Sequence, residues 1–205
     1  MGDSIAEAEA PALGAALRAS GGEFMSLAAT ASGNVTGKDA GETWRMLPGK
    51  LKSVRPEVFA YQITAFDWGP REQQRAAYER LAKAVADVGG ELVIVSTPPI
   101  KHNEIQKPHA VELKTAPDAA REVARNHPGK VHFVDSSQVW GTDPDGAMAQ
   151  RSRDGIHNCQ QAAATFAQWF GKQLGERYGF ALAPAEQWAT GSWTGDSSYA
   201  VIGCS

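Results

Sequence analysis

The chain is poor in cysteine: two in 205 residues, Cys159 and Cys204, with no CxxC pair and no Cys/His cluster. That leaves no thiolate set at zinc-ligand spacing, so no metal is expected. No apolar run approaches the roughly 20 residues that span a bilayer. No block of one charge stands out either. The net charge is -3, with acids and bases mixed along the chain. Nucleic acid and anionic membranes are therefore not expected partners. Repeats and low-complexity segments are lacking. The first residues show neither a basic leader nor a long apolar stretch. The chain is expected to be cytoplasmic, or a piece of a longer exported protein. What remains is ordinary globular usage, 42% hydrophobic and 21% charged, at a length that suits one domain.

Within that composition, strand and helix patterns alternate. Helices are predicted for "IAEAEAPALGAALRA", "ETWRMLPGKLKSV" (with a kink or break at Pro48), "PREQQRAAYERLAKAVADVGG", "APDAAREVARNH" and "QQAAATFAQWFGKQLGERYG". The third has Pro at its start and two glycines past its end, both strong boundary signals. Strands are predicted for "EFMSLAAT", "PEVFAYQIT", "ELVIVST" and "KVHFVD". "ELVIVST" is almost wholly apolar, as a central parallel strand covered on both faces should be. The alternation predicts an α/β fold with a parallel sheet and helices on both faces, residues 1–183, followed by an aromatic, Gly-rich tail, 184–205. Ligands in such folds bind beyond the carboxyl ends of the strands.

Three loops there carry chemistry. "GDS" at Gly2-Asp3-Ser4 opens the first helix. "TASGN" ends at Gly33 and Asn34. "DGIH", Asp154 to His157, precedes the last long helix. A serine at a helix N-terminus gains backbone N–H groups and the helix dipole for a developing oxyanion. It needs a base, for which His157 is the candidate, and a carboxylate to fix the imidazole tautomer, for which Asp154 stands three residues away. Taken singly, Ser4 is as well read as a helix cap, Asp154 as a turn former and His157 as a helix-end histidine. Their pairing at opposite ends of the chain favours chemistry. His102, His109, His127 and His132 have no metal-ligand spacing; His102 is a candidate for lining a pocket.

The "GDS" and "DGIH" blocks resemble those of SGNH/GDSL hydrolases, and the resemblance spans nearly the whole chain. It implies a flavodoxin-like three-layer α/β/α sandwich, Ser4 as nucleophile, His157 as base and Asp154 as its orienting carboxylate. It further implies that the N–H groups of Ser4 and Gly33 form the oxyanion hole. The family's third block, Gly-x-Asn-Asp, falls on "TAFD", which puts Phe66 in the place of the asparagine that donates to the oxyanion. Asn34, Gln62 and the Trp68 indole are candidate replacements. Asp3, Gln62, Asp67, Trp68 and His102 are candidate pocket residues. The missing asparagine, "DGIHNC", "APAEQWATGSW" and a near-terminal cysteine resemble the SGNH domains fused to, or related to, membrane acyltransferase-3 proteins of actinobacteria. That implies an extracytoplasmic domain moving or removing short O-acyl groups, acetyl above all, on a carbohydrate or cell-envelope glycan, without a cofactor and with a membrane acyltransferase domain as a candidate partner.

In the family an apolar strand runs directly into GDS, whereas here Met1 precedes it. Either the chain is a fragment, or "SYAVIGC" supplies the strand. The tail has a second use, a Cys159–Cys204 disulfide closing a loop of 45 residues. It is worth about 4 kcal/mol in the chain-entropy model and fits an exported domain. Trp188 and Trp193 read as tail packing or as a sugar platform. Two other functions stand beside the enzyme. One is a non-catalytic glycan-binding or accessory domain that keeps the fold. The other is a flavin or nucleotide binder, disfavoured because no phosphate-cradling glycine loop is present.

Overall fold

The computed structural model describes residues 1–204, which divide into two compact units. The first comprises residues 1–3, 29–97 and 102–136. It is built on three parallel strands in the order β1-β2-β3: Val58–Gln62, Glu91–Val95 and Val131–Val134. Val58 pairs with Glu91 and Leu92 with Val131, and the register holds to the strand ends. The helix α3, Arg71–Ala86, links β1 to β2, and α4, Ala110–Asn126, links β2 to β3. In α3, Gln74, Tyr78, Leu81, Ala82 and Val85 are buried, a 3.6-residue stripe that faces the core. The sheet's interior is correspondingly apolar, with Leu92 to Val95 all enclosed. A further helix, α2 (Ala40–Val54), passes through Pro48 unbroken and buries Thr43, Leu47 and Leu51. No break forms there.

Met1 runs beside β1. Its nitrogen donates to Ala60 O at 2.8 Å, and its carbonyl accepts from Gln62 N–H at 3.0 Å. On the other side, Ala29 N–H donates to Gly2 O at 3.2 Å.

The second unit comprises residues 4–28, 98–101 and 137–204 of those described. Its frame is α1, Ser4–Ala19, packed on α6, Gln160–Tyr178. Both helices present small residues where they meet other segments. A side chain at Gly14 of α1 would strike the Phe24 ring at 2.7 Å, and one at Gly171 of α6 would strike Leu182 at 2.7 Å. The predicted strand "EFMSLAAT" is not one: residues 23–29 are irregular and Met25 is 62% exposed. Phe24 turns onto the flat spot at Gly14 instead of entering a ladder.

The tail also packs into this unit. Trp188 is buried and its indole donates to Ala183 O at 2.9 Å, while Trp193 donates to Trp188 O at 2.6 Å. Trp188 therefore offers no face to a sugar. "SYAVIGC" does not form a strand. Ser197–Val201 is a short helix, α7, capped by Asp196, and the Tyr199 hydroxyl donates to Ala8 O at 2.9 Å. The reason is local: Asp196 accepts the Ser198 N–H at 2.9 Å and starts a helix where the apolar run suggested an extended segment. A disulfide joins Cys159, just before α6, to Cys204. No helix of the described residues is long and apolar enough to cross a membrane.

Candidate active site

Ser4 is the first residue of α1. The opening N–H groups of any helix lack intrahelical acceptors and carry the positive end of its dipole, so Ser4 Oγ lies where negative charge is favoured. Its helix is held from behind. Ile5, Ala8, Ala12 and Ala16 are enclosed, and α6 covers them.

His157 comes from a tight turn between Ser152 and Asn158. Ser152 N–H donates to His157 O at 2.7 Å and Gly155 N–H to Ser152 O at 3.0 Å. The turn is organised around one carboxylate oxygen. Asp154 Oδ1 accepts from the Ser152 hydroxyl at 2.7 Å, Ile156 N–H at 2.8 Å and His157 N–H at 2.9 Å, the self-bonding that makes Asp a turn residue. Gly155 has φ +71°, a left-handed conformation that glycine adopts without steric cost. A side chain there would meet Lys101 carbons at 2.7 to 3.0 Å. Lys101 N–H donates to Gly155 O at 2.9 Å, and its ammonium pairs with Asp145.

This turn and the start of α1 bring three predicted residues into one hydrogen-bonded line. Ser4 Oγ is 2.7 Å from His157 Nε2, and His157 Nδ1 is 2.6 Å from Asp154 Oδ2. Burial by itself would raise the Asp154 pKa. The bonds from the His157 ring, from Ile156 and His157 N–H and from Ser152 outweigh it and pull the group down to about 2. Asp154 is thus a carboxylate at neutral pH and can only accept. Nδ1 must then carry the proton, which leaves the Nε2 lone pair to accept the Ser4 hydroxyl. The arrangement can deprotonate Ser4 and stabilise the imidazolium that results.

The first unit holds the other predicted residues. Gly33, at φ +85°, lies so close to the chain before Ser4 that a Cβ would be 2.3 Å from Gly2 O. Asn34 is buried, and its amide donates to Thr36 O and Lys38 O, each at 2.7 Å. Both amide protons are used in the turn, so the side chain has none left for an oxyanion. The Trp68 indole is likewise spent, donating to Ala65 O at 3.0 Å, and its ring stacks on His109 at 3.8 Å. Asp67 is fully enclosed rather than lining a pocket. Its oxygens accept from the hydroxyls of Tyr61 at 2.6 Å and Tyr78 at 3.1 Å, and from Val35 N–H at 3.1 Å and Thr64 N–H at 3.3 Å. Burial pushes its pKa up to about 6, even though those four donors favour the ionised form. Asp3 is buried and accepts from Ala65 N–H at 2.7 Å. Gln62 is buried at the end of β1, and His102 is half-buried in the loop after β2. Phe66 is half-buried, its ring 5.7 Å from that of Trp68.

Behind Ser4 and His157 lies a group of polar residues that the sequence reading passed over: Glu9 and Asn158, both buried, and Arg151. A signal was there. Glu9 falls on the apolar face of α1, between Ile5 and Ala12, where a charge needs a partner. Among the described residues no group of three or more His, Cys, Asp or Glu side chains is placed to hold a metal.

No protein-family profile matches the sequence, and no curated protein matches it. Solved structures do. A carbohydrate esterase of family 3 from Talaromyces cellulolyticus superposes with a TM-score of 0.66 at 12% identity, over 86% of this chain and 95% of that one. A protein titled a GDSL-like lipase, from Bacteroides ovatus ATCC 8483, gives 0.64 at 13%, over 89% of this chain. The present chain spans about half of that protein's length, 53%. A family two carbohydrate esterase from Clostridium thermocellum, solved in complex with cellohexaose, gives 0.62 at 13%, over 87% of this chain and 63% of that one. The chain therefore has the mixed α/β fold, with a parallel sheet, of the SGNH hydrolases.

Proposed function

We propose that the protein is a serine esterase or O-acyltransferase of the SGNH type, acting on short O-acyl esters of a carbohydrate or cell-envelope glycan. The observation that carries this reading is the line Ser4 Oγ, His157 Nε2, His157 Nδ1, Asp154 Oδ2, with links of 2.7 and 2.6 Å. Ser4 Oγ attacks the acyl carbonyl while Nε2 takes its proton. The carbonyl oxygen becomes an oxyanion, received by the Ser4 N–H at the start of α1 and, by the family resemblance, by the Gly33 N–H. Nε2 then returns the proton to the leaving alkoxide as the C–O bond breaks, giving an acyl-Ser4 ester. Water attacks that ester in a hydrolase, a sugar hydroxyl in a transferase, and His157 takes the proton of either nucleophile.

Support for a carbohydrate substrate comes from the folds it shares with two carbohydrate esterases, one of them bound to cellohexaose. The Cys159–Cys204 bridge supports an extracytoplasmic location, and with it a membrane acyltransferase domain as partner. The test is p-nitrophenyl acetate turnover by the purified chain beside Ser4→Ala and His157→Ala. Turnover abolished by both substitutions is the expected result; equal turnover in all three proteins overturns the reading. Phe66 in the asparagine position, with the Asn34 amide spent in its own turn, favours one second reading: a glycan-binding domain that keeps the fold without turnover. Binding of acetylated oligosaccharide unaffected by Ser4→Ala, in a protein that turns nothing over, would select it.

A further inference from the structure

The guanidinium of Arg151 is held on two sides in the turn that carries His157. Nε donates to Ala149 O at 2.6 Å and Nη1 to Ile156 O at 3.2 Å, and the group lies 4.6 Å over the Trp140 ring. Arg151 and Asn158 are paired as an antiparallel bridge that closes the turn around Asp154 and His157. Nη2 is buried without a hydrogen-bond partner. Across from this group is α1. Glu9, 1% exposed and five residues past Ser4, accepts from Asn158 Nδ2 at a long 3.4 Å. Burial lowers the Arg151 pKa, and the charges of Glu9 and Asp154 oppose that shift. The half-buried Arg151 cation therefore sits in the field of two carboxylates, one on the nucleophile's helix and one on the base's turn.

Stability does not account for this choice. A buried ion pair is often matched or bettered by apolar residues of the same volume, because desolvating both charges offsets their attraction. The planar fork of Arg can instead fix two carbonyls at once while stacking on an indole, which the point charge of Lys cannot. Nor does the reaction need the charge at the reacting atoms, since Arg151 reaches Ile156 O, the carbonyl next to His157 N, and no atom of Ser4 or of the imidazole.

We infer that Arg151 is the positioning residue that sets the His157 turn against the helix bearing Ser4. This rests on the esterase reading above. Through Ile156 O it fixes the backbone from which the imidazole projects, and its bridge partner Asn158 ties that backbone to Glu9 of α1. Displacement of a catalytic group by about 1 Å can cost roughly a hundredfold in rate, so a loosened turn should appear in kcat and not in KM.

Three variants test this: Arg151→Lys, Arg151→Met, and Arg151→Met with Glu9→Gln. For Arg151→Lys the expected result is a kcat for p-nitrophenyl acetate lower by about tenfold to a hundredfold, at unchanged KM. Arg151→Met removes a positive charge from the field of buried Glu9 and should unfold at lower temperature. Adding Glu9→Gln should restore the melting temperature but not kcat, because the hold on Ile156 O is still missing. A merely structural role would restore both. A kcat within about twofold of wild type in Arg151→Lys or in the double variant overturns the inference. The low-field NMR resonance of the His157 Nδ1 proton gives a reading that needs no turnover. It should be sharp in the unsubstituted protein and broadened in Arg151→Lys; an unchanged resonance overturns the inference. If the unsubstituted protein is itself inert, the esterase reading fails and this resonance alone decides whether Arg151 positions the ring.

Discussion

Asp154 holds His157 twice, by Oδ2 on the ring Nδ1 at 2.6 Å and by Oδ1 on the backbone N–H at 2.9 Å. One residue thus sets both where the imidazole sits and which of its nitrogens carries the proton.

Asp154→Asn separates those two jobs. The amide oxygen can keep the three donors that Oδ1 now accepts, from Ser152, Ile156 and His157. The amide nitrogen then faces Nδ1 and must donate to it. That moves the imidazole proton to Nε2, which can no longer accept the Ser4 hydroxyl. The expected outcome is a loss of kcat on the order of 10⁴ in a protein that still folds, with a melting temperature lowered by the lost carboxylate contribution, checked by steady-state kinetics and a thermal melt.

The Asp67 carboxyl gives the stability a pH dependence of opposite sign to that of Asp154. Its pKa is raised from 3.8 to about 6 in the fold, so the native state binds more protons than the unfolded chain between those values. Its contribution is fully present below pH 4 and is lost as pH rises through 6, worth about 3 kcal/mol across the window. Asp154, held at about 2, loses its contribution only as pH falls from 4 towards 2 and is constant in the Asp67 window. Urea unfolding from pH 4 to 7 should show stability declining with pH more steeply in the parent than in Asp67→Asn, which lacks the titration.

The bridge between Cys159 and Cys204 closes 45 residues of chain. Cys159→Ser with Cys204→Ser should cost about 4 kcal/mol by the loop-entropy relation, read as a shift of the urea midpoint under non-reducing conditions. Under reducing conditions parent and variant should converge.

Two glycines with positive φ should respond differently to alanine. At Gly33 the new methyl would stand 2.3 Å from the carbonyl oxygen of Gly2, which is backbone and cannot swing aside. At Gly155 it would meet the stem of Lys101, a flexible side chain. Gly155→Ala should cost about 1 kcal/mol from its backbone conformation. Gly33→Ala should cost several times more, and thermal melts of the two variants measure the difference.

Much of this was legible from residues alone. β2 announced itself by an unbroken apolar run, and α3 by a Pro before it, two glycines after it and a clean 3.6-residue stripe. Ser4, Asp154 and His157 stood out together, by what each needs of the others chemically and by the resemblance of "GDS" and "DGIH" to family blocks, although Ser4 lies 150 residues before Asp154. The misreadings came from apolar segments whose partners lie elsewhere in the fold. "EFMSLAAT" and "SYAVIGC" have strand composition. Phe24 is drawn to Gly14 and Asp196 caps a helix, and neither competing interaction shows in the hydropathy of the segment itself. Asn34 and Trp68 looked like spare donors because a sequence does not say where a side chain's protons are already spent. Arg151 was missed for the reverse reason. It stands three residues before Asp154, in view, but the carbonyls it holds, Ala149 O and Ile156 O, and the Trp140 ring it lies over are brought to it only by the fold of the turn.

Everything proposed for the reaction requires Ser4 to be a nucleophile activated by His157. Treatment with a fluorophosphonate, followed by mass spectrometry of the digested protein, tests it without choosing a substrate. The expected result is a single covalent adduct on Ser4, formed rapidly in the parent and absent in His157→Ala. A folded protein that takes no label, or one labelled equally well without His157, would contradict it.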